Sequence, residues 1–238
     1  MPEQKGILYQ QIYEDLLAKI LSRSYLPGSA IPSEYELAAT YGVSRPTVRK
    51  SISLLEAQGM VKTIQGKGAF VLGKQESQIV EELQGFSRRL SDTGKAEKVT
   101  LIGCSRRAAG ILFADIFQIA GTAEIYIVRR LVSNQESPLA LELWYIPLDA
   151  FPALPQLNVT DFSLYELCAF YDLSIRRVEQ SLEIVSLEKS DARLLGITTQ
   201  DSVFRFDSLG YTDQGCLSYV VTYVRSDKSD FQVYFQNT

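Results

Sequence analysis

Apolar residues in the first quarter of the chain recur with the spacing of amphipathic helices. Residues 7–22 carry an apolar side chain at about every fourth position, which predicts a helix that buries one stripe. The run that begins at residue 45 places Val48, Ile52 and Leu55 at i, i+4 and i+7, so we expect them to face a core. Two helices of this kind predict a small helical core.

Helix start and stop signals between these stripes predict a third, short helix and a tight turn. Ser33, followed three residues later by Glu36, has the spacing of a capping box. Gly42 supplies the backbone freedom that a sharp turn needs. Ser44 is expected to cap the next helix, and Pro46 falls in its first turn, where a missing N–H is harmless. The pattern predicts a helix-turn-helix.

The second helix of this pair is basic away from its apolar stripe, and a hairpin follows it. Arg45, Arg49 and Lys50 lie on the polar side, which is what a helix that reads the major groove requires. Two short β-rich runs then flank the glycine turn QGKG, where Lys67 can approach a phosphate backbone. Each feature alone also fits an ordinary helical corner or a solvated loop charge. Together and in this order they predict a winged helix-turn-helix that binds DNA.

Residues 5–74 resemble the GntR family of bacterial transcription regulators. The matching motifs are LPG at 26–28, PSEYELA at 32–38, GVSRPTVR at 42–49 and GKG at 66–68. The resemblance implies that Arg45, Thr47 and Arg49 contact bases or nearby phosphates, that Ser44 contacts phosphate and that Gly66 enters the minor groove. The family often has arginine where this chain has Tyr35. The DNA-binding residues we predict are Ser44, Arg45, Thr47, Arg49, Lys50, Gly66, Lys67 and Tyr35.

Composition agrees with a two-part regulator. The first 74 residues hold nine basic and six acidic side chains, whereas the remainder holds 15 and 22, within a total charge of −4 over 238 residues. A basic head on an acidic body orients the protein toward DNA. The chain has no histidine, which excludes histidine-dependent triads and zinc sites, and its three cysteines are widely spaced. No apolar leader or membrane-length run is seen, so we expect a cytoplasmic protein without metal or cofactor.

The rest of the chain alternates strand-like and helical runs and predicts an α+β domain. Strands are expected at 98–104, 125–131, 139–146, 174–187, 203–211, 217–225 and 231–235, and helices at 111–119, 163–171 and 190–195. The predicted organisation is a winged helix-turn-helix at 1–73, a linker at 74–82 and a second domain at 83–238.

This second half resembles the effector-binding UTRA domain that follows the winged helix in the HutC branch of the GntR family. The matching pieces include GFSR at 85–88, PLALELWYIP at 138–147, SLY at 163–165, ARLLG at 192–196 and YVRSD at 223–227. The resemblance implies an antiparallel sheet flanked by helices, as in chorismate lyase, with a ligand cleft. It also implies a homodimer that binds a palindromic operator.

Several side chains in these motifs suit a small anionic ligand. Ser87 and Ser163 each begin a predicted helix, whose first N–H groups favour an anion. Arg130 offers a guanidinium fork for phosphate or carboxylate, Glu142 can accept sugar hydroxyls, and Tyr165 can stack or donate. The alternatives are plain helix caps for the serines, a surface carboxylate as partner of Arg130 and a buried arginine as partner of Glu142. The predicted effector-binding residues are Ser87, Arg88, Arg130, Glu142, Ser163, Tyr165, Ser218 and Arg225.

Departures from the family pattern bear on the ligand. Val132 stands where the family has a second arginine, and Ser218 where it commonly has glutamate. The leading hypothesis is a repressor of a carbohydrate operon, released by a sugar-phosphate-like effector. The alternatives are the same architecture with a carboxylate or phosphonate effector, a lyase-like enzyme, or an architectural DNA binder without a ligand. The absent histidine and the DNA-binding head argue against an enzyme, and no catalytic residue is assigned.

Overall fold

The computed structural model describes residues 3–73, 98–134 and 137–229, which form two compact units. The first, here called the winged-helix unit, combines residues of Met1–Glu76 with Asp161–Ser174. The second, here called the sheet unit, combines residues of Ser77–Thr160 and Ile175–Thr238. Two predicted site residues, Ser87 and Arg88, and the strand expected at 231–235 lie outside the described residues.

The N-terminal part of the winged-helix unit contains three helices and a two-stranded hairpin. They are α1 (Glu3–Leu21), α2 (Glu34–Tyr41), α3 (Arg45–Ala57), β1 (Val61–Ile64) and β2 (Gly68–Val71). Leu16, Val48 and Leu55 are completely buried at the centre of their shared core. The predicted apolar stripe of α3 therefore faces that core, and the winged helix-turn-helix prediction is confirmed.

Local interactions explain the turn between α2 and α3. Ser33 and Glu36 form the predicted capping box at the start of α2. Gly42 ends that helix with φ 62°, in the left-handed region that favours glycine. Ser44 does occupy the N-cap position of α3, but the predicted cap hydrogen bond is absent. Its hydroxyl lies 2.8 Å from that of Thr47, which takes the place of a backbone partner.

The sheet unit is built on one six-stranded antiparallel sheet. In the order β3-β4-β5-β8-β7-β6, its strands are β3 (Lys98–Ala108), β4 (Glu124–Ser133), β5 (Pro138–Pro147), β8 (Gly215–Arg225), β7 (Ser202–Thr212) and β6 (Arg177–Ser186). Helix α4 (Gly110–Phe117) precedes β4, and helix α6 (Lys189–Leu195) follows β6. Between them in the chain comes α5 (Leu164–Phe170), which belongs to the winged-helix unit. The α+β prediction for the second half is confirmed.

Helices α4 and α6 pack on the same face of the sheet. On one face, α4 packs through Phe113 against Tyr145, and α6 packs near Leu141. Because side chains alternate along a strand, Glu142 and Trp144 lie on the other face. No helix in the described part of the chain is long and apolar enough to cross a membrane.

Candidate DNA-binding surface and effector site

The N-terminal end of α3 carries two exposed arginines that share one carboxylate. Arg49 donates from Nε to Glu34 Oε1 and from Nη2 to Glu34 Oε2, each at 2.8 Å. Arg45 Nη2 lies 3.4 Å from the same Oε2. Both arginine side chains are about three-fifths exposed. Glu34, at the start of α2, therefore holds the heads of two predicted base-reading residues side by side.

This arrangement has a clear electrostatic basis. The hydrogen bonds from Arg49, with a smaller contribution from Arg45, hold the pKa of Glu34 below its usual range. The carboxylate therefore stays ionised and offsets one of the two positive charges. Two guanidinium groups restrained one helical turn apart suit bidentate contacts to guanine edges or to phosphates.

The other residues predicted on this surface occupy more varied positions. Tyr35 is exposed on α2, with 73% of its surface accessible. Lys50 lies with its ammonium 3.8 Å from the ring centre of Tyr9, so a cation–π contact holds it against α1. Ser44 and Thr47 form a pair of linked hydroxyls at the start of α3. The structure thus groups Ser44, Thr47 and the two arginines at one helix end and draws Lys50 toward α1.

The wing tip is a tight turn that needs its glycines. Gly66 has φ 75° and Gly68 has φ 110°, and neither would place a Cβ within 4 Å of another atom. The Lys67 backbone N–H donates to Ile64 at 3.0 Å and closes the turn. Side-chain space at this tip is open, which suits close approach to a nucleic-acid backbone.

In the sheet unit, Arg130 and Glu142 form a buried ion pair. They are directly opposite each other on β4 and β5, and only 5% and 7% of their surfaces are exposed. Arg130 Nε donates to Glu142 Oε2 at 3.0 Å, and Arg130 Nη1 donates to the Val159 carbonyl at 2.9 Å. The guanidinium carbon also lies 3.7 Å from the ring centre of Trp144. Glu142 therefore has a buried arginine as its partner, which is one of the alternatives that the sequence left open.

Further buried polar groups extend this cluster across the same face. Thr222 on β8 is directly opposite Glu142, and Ser218 lies four residues earlier on that strand. Both are buried, at 8% and 1% exposure. Ser218 Oγ has no hydrogen-bond partner among the residues that the structure describes. We call Arg130, Glu142, Ser218 and Thr222 the polar cluster; within the described sheet unit they are the buried polar residues.

Arg225 is not part of the polar cluster. It follows Thr222 by three positions on β8, and the alternation of a strand places it on the opposite face. There it donates to Asp227 Oδ1 at 2.9 Å and to the Leu195 carbonyl at the end of α6 at 3.2 Å. The structure therefore does not bring it together with Arg130.

Ser163 and Tyr165 belong to the winged-helix unit. Ser163 is the N-cap of α5 and forms a capping box with Glu166. Burial raises the pKa of Tyr165 to about 12, so its hydroxyl keeps its proton at neutral pH. The predicted effector residues that the structure describes therefore fall into two groups, one in each unit.

Comparison with known proteins identifies the family. The model of the gntR family of bacterial regulatory proteins matches residues 8–71, and that of the UTRA domain matches residues 92–230. The chain belongs to the GntR family and carries a UTRA domain. Like its relatives, it is a DNA-binding transcriptional regulator and not an enzyme.

Two named relatives are similar to this chain over most of its length. The chain is 29% identical over 206 residues to a "Probable fructoselysine utilization operon transcriptional repressor" of Escherichia coli K12, covering 86% of this chain and 84% of that one. It is 27% identical to the mannosyl-D-glycerate transport/metabolism system repressor MngR of the same organism, covering 87% of each. The crystal structure of PhnF from Mycobacterium smegmatis aligns with a TM-score of 0.61 at 18% identity, over 95% of this chain and 99% of that chain. That structural similarity supports the fold.

Sequence reasoning missed two residues of these sites. Glu34 was noted only as part of a motif, although Arg45 and Arg49 are one helical turn apart and could have indicated a shared partner. Trp144 was seen only within the PLALELWYIP motif. Its position two residues after Glu142 places both side chains on one face, which is the signal that could have found it.

Proposed function

We propose that this regulator represses a carbohydrate-utilisation operon in the cytoplasm and is released from its operator by a small polyhydroxy anion, such as a sugar phosphate. Two named relatives are repressors of fructoselysine utilization and of mannosyl-D-glycerate metabolism, which supports the carbohydrate class. Operator reading is assigned to the N-terminal end of α3, and effector recognition to the sheet unit.

The observation that carries the effector assignment is the polar cluster. Four buried polar side chains on neighbouring strands share one face of the sheet, although burial of unneeded polar groups is costly. Ser218 contributes a buried hydroxyl that lacks a partner among the described residues. Different hydroxyls of one ligand can satisfy these groups, with Glu142 accepting from one and Ser218, about 13 Å further along β8, donating to or accepting from another.

The ion pair also limits how an anion is held. Arg130 already donates to Glu142, so the pair carries no net charge and a ligand phosphate must compete for the guanidinium. The neighbouring Val132 is buried among Ala140 and Phe206 and provides no second cation. The cluster therefore suits sugar hydroxyls best. We assign the ligand anion to Ser87 and Arg88, which are predicted contacts. It can also accept any hydrogen bond that Arg130 gives up from Glu142.

Trp144 provides a direct test, because it is the single tryptophan of the chain and stacks on Arg130. We expect one of a panel of hexose phosphates and amino-sugar phosphates to change its fluorescence saturably and to lower operator affinity. The matching unphosphorylated sugars are the control for the anion. If Arg130→Ala and Ser218→Ala each bound the best ligand as tightly as the parent does, the polar cluster would not be the effector site.

A carboxylate or phosphonate ligand is the second candidate, favoured by Val132 and by one relative. MngR is named for mannosyl-D-glycerate, in which the anionic group is a carboxylate. The same fluorescence titration with sugar acids and small phosphonates decides between the classes.

We further propose a homodimer on a twofold-symmetric operator. One winged helix presents few base contacts, and two copies double them while matching the symmetry of the DNA. Sedimentation of the protein with and without operator DNA tests this. A single copy bound to an asymmetric site at working concentrations would contradict it.

A further inference from the structure

Helix α5 lies between strands of the sheet unit in the chain, yet it packs within the winged-helix unit. The Gly73 N–H, just after the wing, donates to the Ala169 carbonyl at 2.7 Å. At the end of α5, Asp172 accepts from Arg23 Nη1 at 2.8 Å. The rings of Phe70 on β2 and Phe170 on α5 are 5.8 Å apart. The segment between β5 and β6 is thus docked on the wing and on the turn after α1.

Two glycines allow this close packing. A Cβ added at Gly73 would lie 2.9 Å from the Ala169 carbonyl oxygen and 2.9 Å from Asp172 Oδ1. A Cβ added at Gly28 would lie 2.8 Å from the Phe170 carbonyl oxygen. The two carbonyl oxygens belong to the backbone of α5, which cannot turn aside as a flexible side chain can. A larger residue at position 73 must therefore push α5 away from the wing.

One carboxylate links the start of α5 to the wing. Glu166 Oε2 accepts from the Ser163 N–H at 2.8 Å, while the Glu166 N–H donates to Ser163 Oγ at 3.2 Å. The other oxygen, Oε1, accepts from Lys62 Nζ on β1 at 2.9 Å. The two side chains of this ion pair are only 24% and 32% exposed, so it is partly shielded from solvent. Glu166 therefore links the position of Ser163 to that of Lys62 on the wing.

We propose that docking of α5 holds the wing in the position that binds the operator, with Glu166 as the connecting residue. This inference rests on the proposed function, in which the winged-helix unit reads the operator. When α5 is docked, the Glu166 carboxylate fixes Lys62 on β1. When α5 is undocked, Lys62 and the wing lose that support. Operator binding therefore selects the docked form of α5.

The proposal is tested in the full-length protein with Gly73→Ala. The matched control is Gly103→Ala, because Gly103 also lacks a positive φ and a Cβ there would meet nothing within 4 Å. Docking is followed through the buried thiol of Cys168 on α5, with Cys104 and Cys216 replaced by serine. Operator affinity is measured on the same proteins, with unrelated DNA as the reference for non-specific binding.

We expect Gly73→Ala to speed thiol labelling and to weaken operator binding by about five- to fiftyfold, in the usual range of coupling between sites. Gly103→Ala should match the parent in both. Glu166→Gln is the second variant, because glutamine keeps the capping box while removing the charge that holds Lys62. It should also speed labelling and lower specific affinity.

The outcomes separate cleanly. Faster labelling with operator affinity equal to the parent's in both variants would make α5 a structural support only and overturn the proposal. Unchanged labelling and affinity in both variants would overturn it as well. If the parent itself bound no operator selected from random sequence, the proposed function would fail instead, whatever α5 does.

Discussion

Removal of one partner from the buried pair of Arg130 and Glu142 should destabilise the sheet unit strongly. In Glu142→Ala the guanidinium stays at a site that is 5% exposed, where the Val159 carbonyl and the Trp144 ring are among its remaining contacts. Loss of one partner of a buried ion pair costs about 3–5 kcal/mol, because the other charge is left uncompensated. Since these contacts remain, we expect a loss near the lower end of that range, about 3 kcal/mol, in the free energy of unfolding.

Replacement of both partners should cost much less. In the double variant Arg130→Met with Glu142→Met, no buried charge is left behind, and such exchanges are often neutral or stabilising. The surface pair of Glu183 with Arg205 is the matched control in the same unit, since Glu183 is 59% exposed at the side chain. Glu183→Ala should cost only about 0–1 kcal/mol.

The assay is urea unfolding followed by tryptophan fluorescence. Trp144 is the only tryptophan and contacts Arg130 of the polar cluster, so its emission reports the sheet unit and not the winged-helix unit. The midpoint should fall while the slope stays unchanged. If Glu142→Ala were as stable as Glu183→Ala, or if the double variant were no better than the single one, the uncompensated-charge argument would be refuted.

Three further results are expected. Arg45→Ala and Arg49→Ala should each weaken specific operator binding by roughly 1–3 kcal/mol in a mobility-shift titration, with circular dichroism unchanged; equal losses on unrelated DNA would contradict base reading. Lys67→Ala should weaken binding to all sequences alike and reduce the salt slope by about one unit, so a changed base preference at constant slope would refute a phosphate contact. Cys104 should react with a thiol reagent at pH 8 while Cys168 does not, because burial raises the pKa of the Cys168 thiol to about 12; equal rates in native protein would contradict its burial.

Most helices and strands could be predicted from the sequence because each carries its own periodic signal. The pairing of Arg130 with Glu142 could not. A symmetric loop over 133–137 would place Arg130 opposite Ala140, whereas the irregularity between Val132 and Ser133 shifts the register and brings Glu142 there. Apolar and polar residues alternate in the same way in both registers, so the pattern does not reveal the bulge.

The docking of α5 against the wing could not be predicted from the sequence either. Its helix was expected from the Ser163 cap, but its partners Lys62 and Gly73 are about a hundred residues away in the chain. A contact over such a separation leaves no periodic trace. The shared carboxylate of Glu34 was only partly predictable, because the one-turn spacing of Arg45 and Arg49 indicates a common partner but not that it comes from α2.

The insertion of residues 161–174 into the winged-helix unit affects how such regulators can be recombined. A hybrid that joins residues 1–73 to a foreign effector domain would leave Phe70 without Phe170, and Lys62 without Glu166. Its success would depend on whether the new domain supplies a segment that fits against Gly28 and Gly73. Swaps among relatives should therefore carry the segment together with the head, since the unit of exchange is discontinuous in the gene.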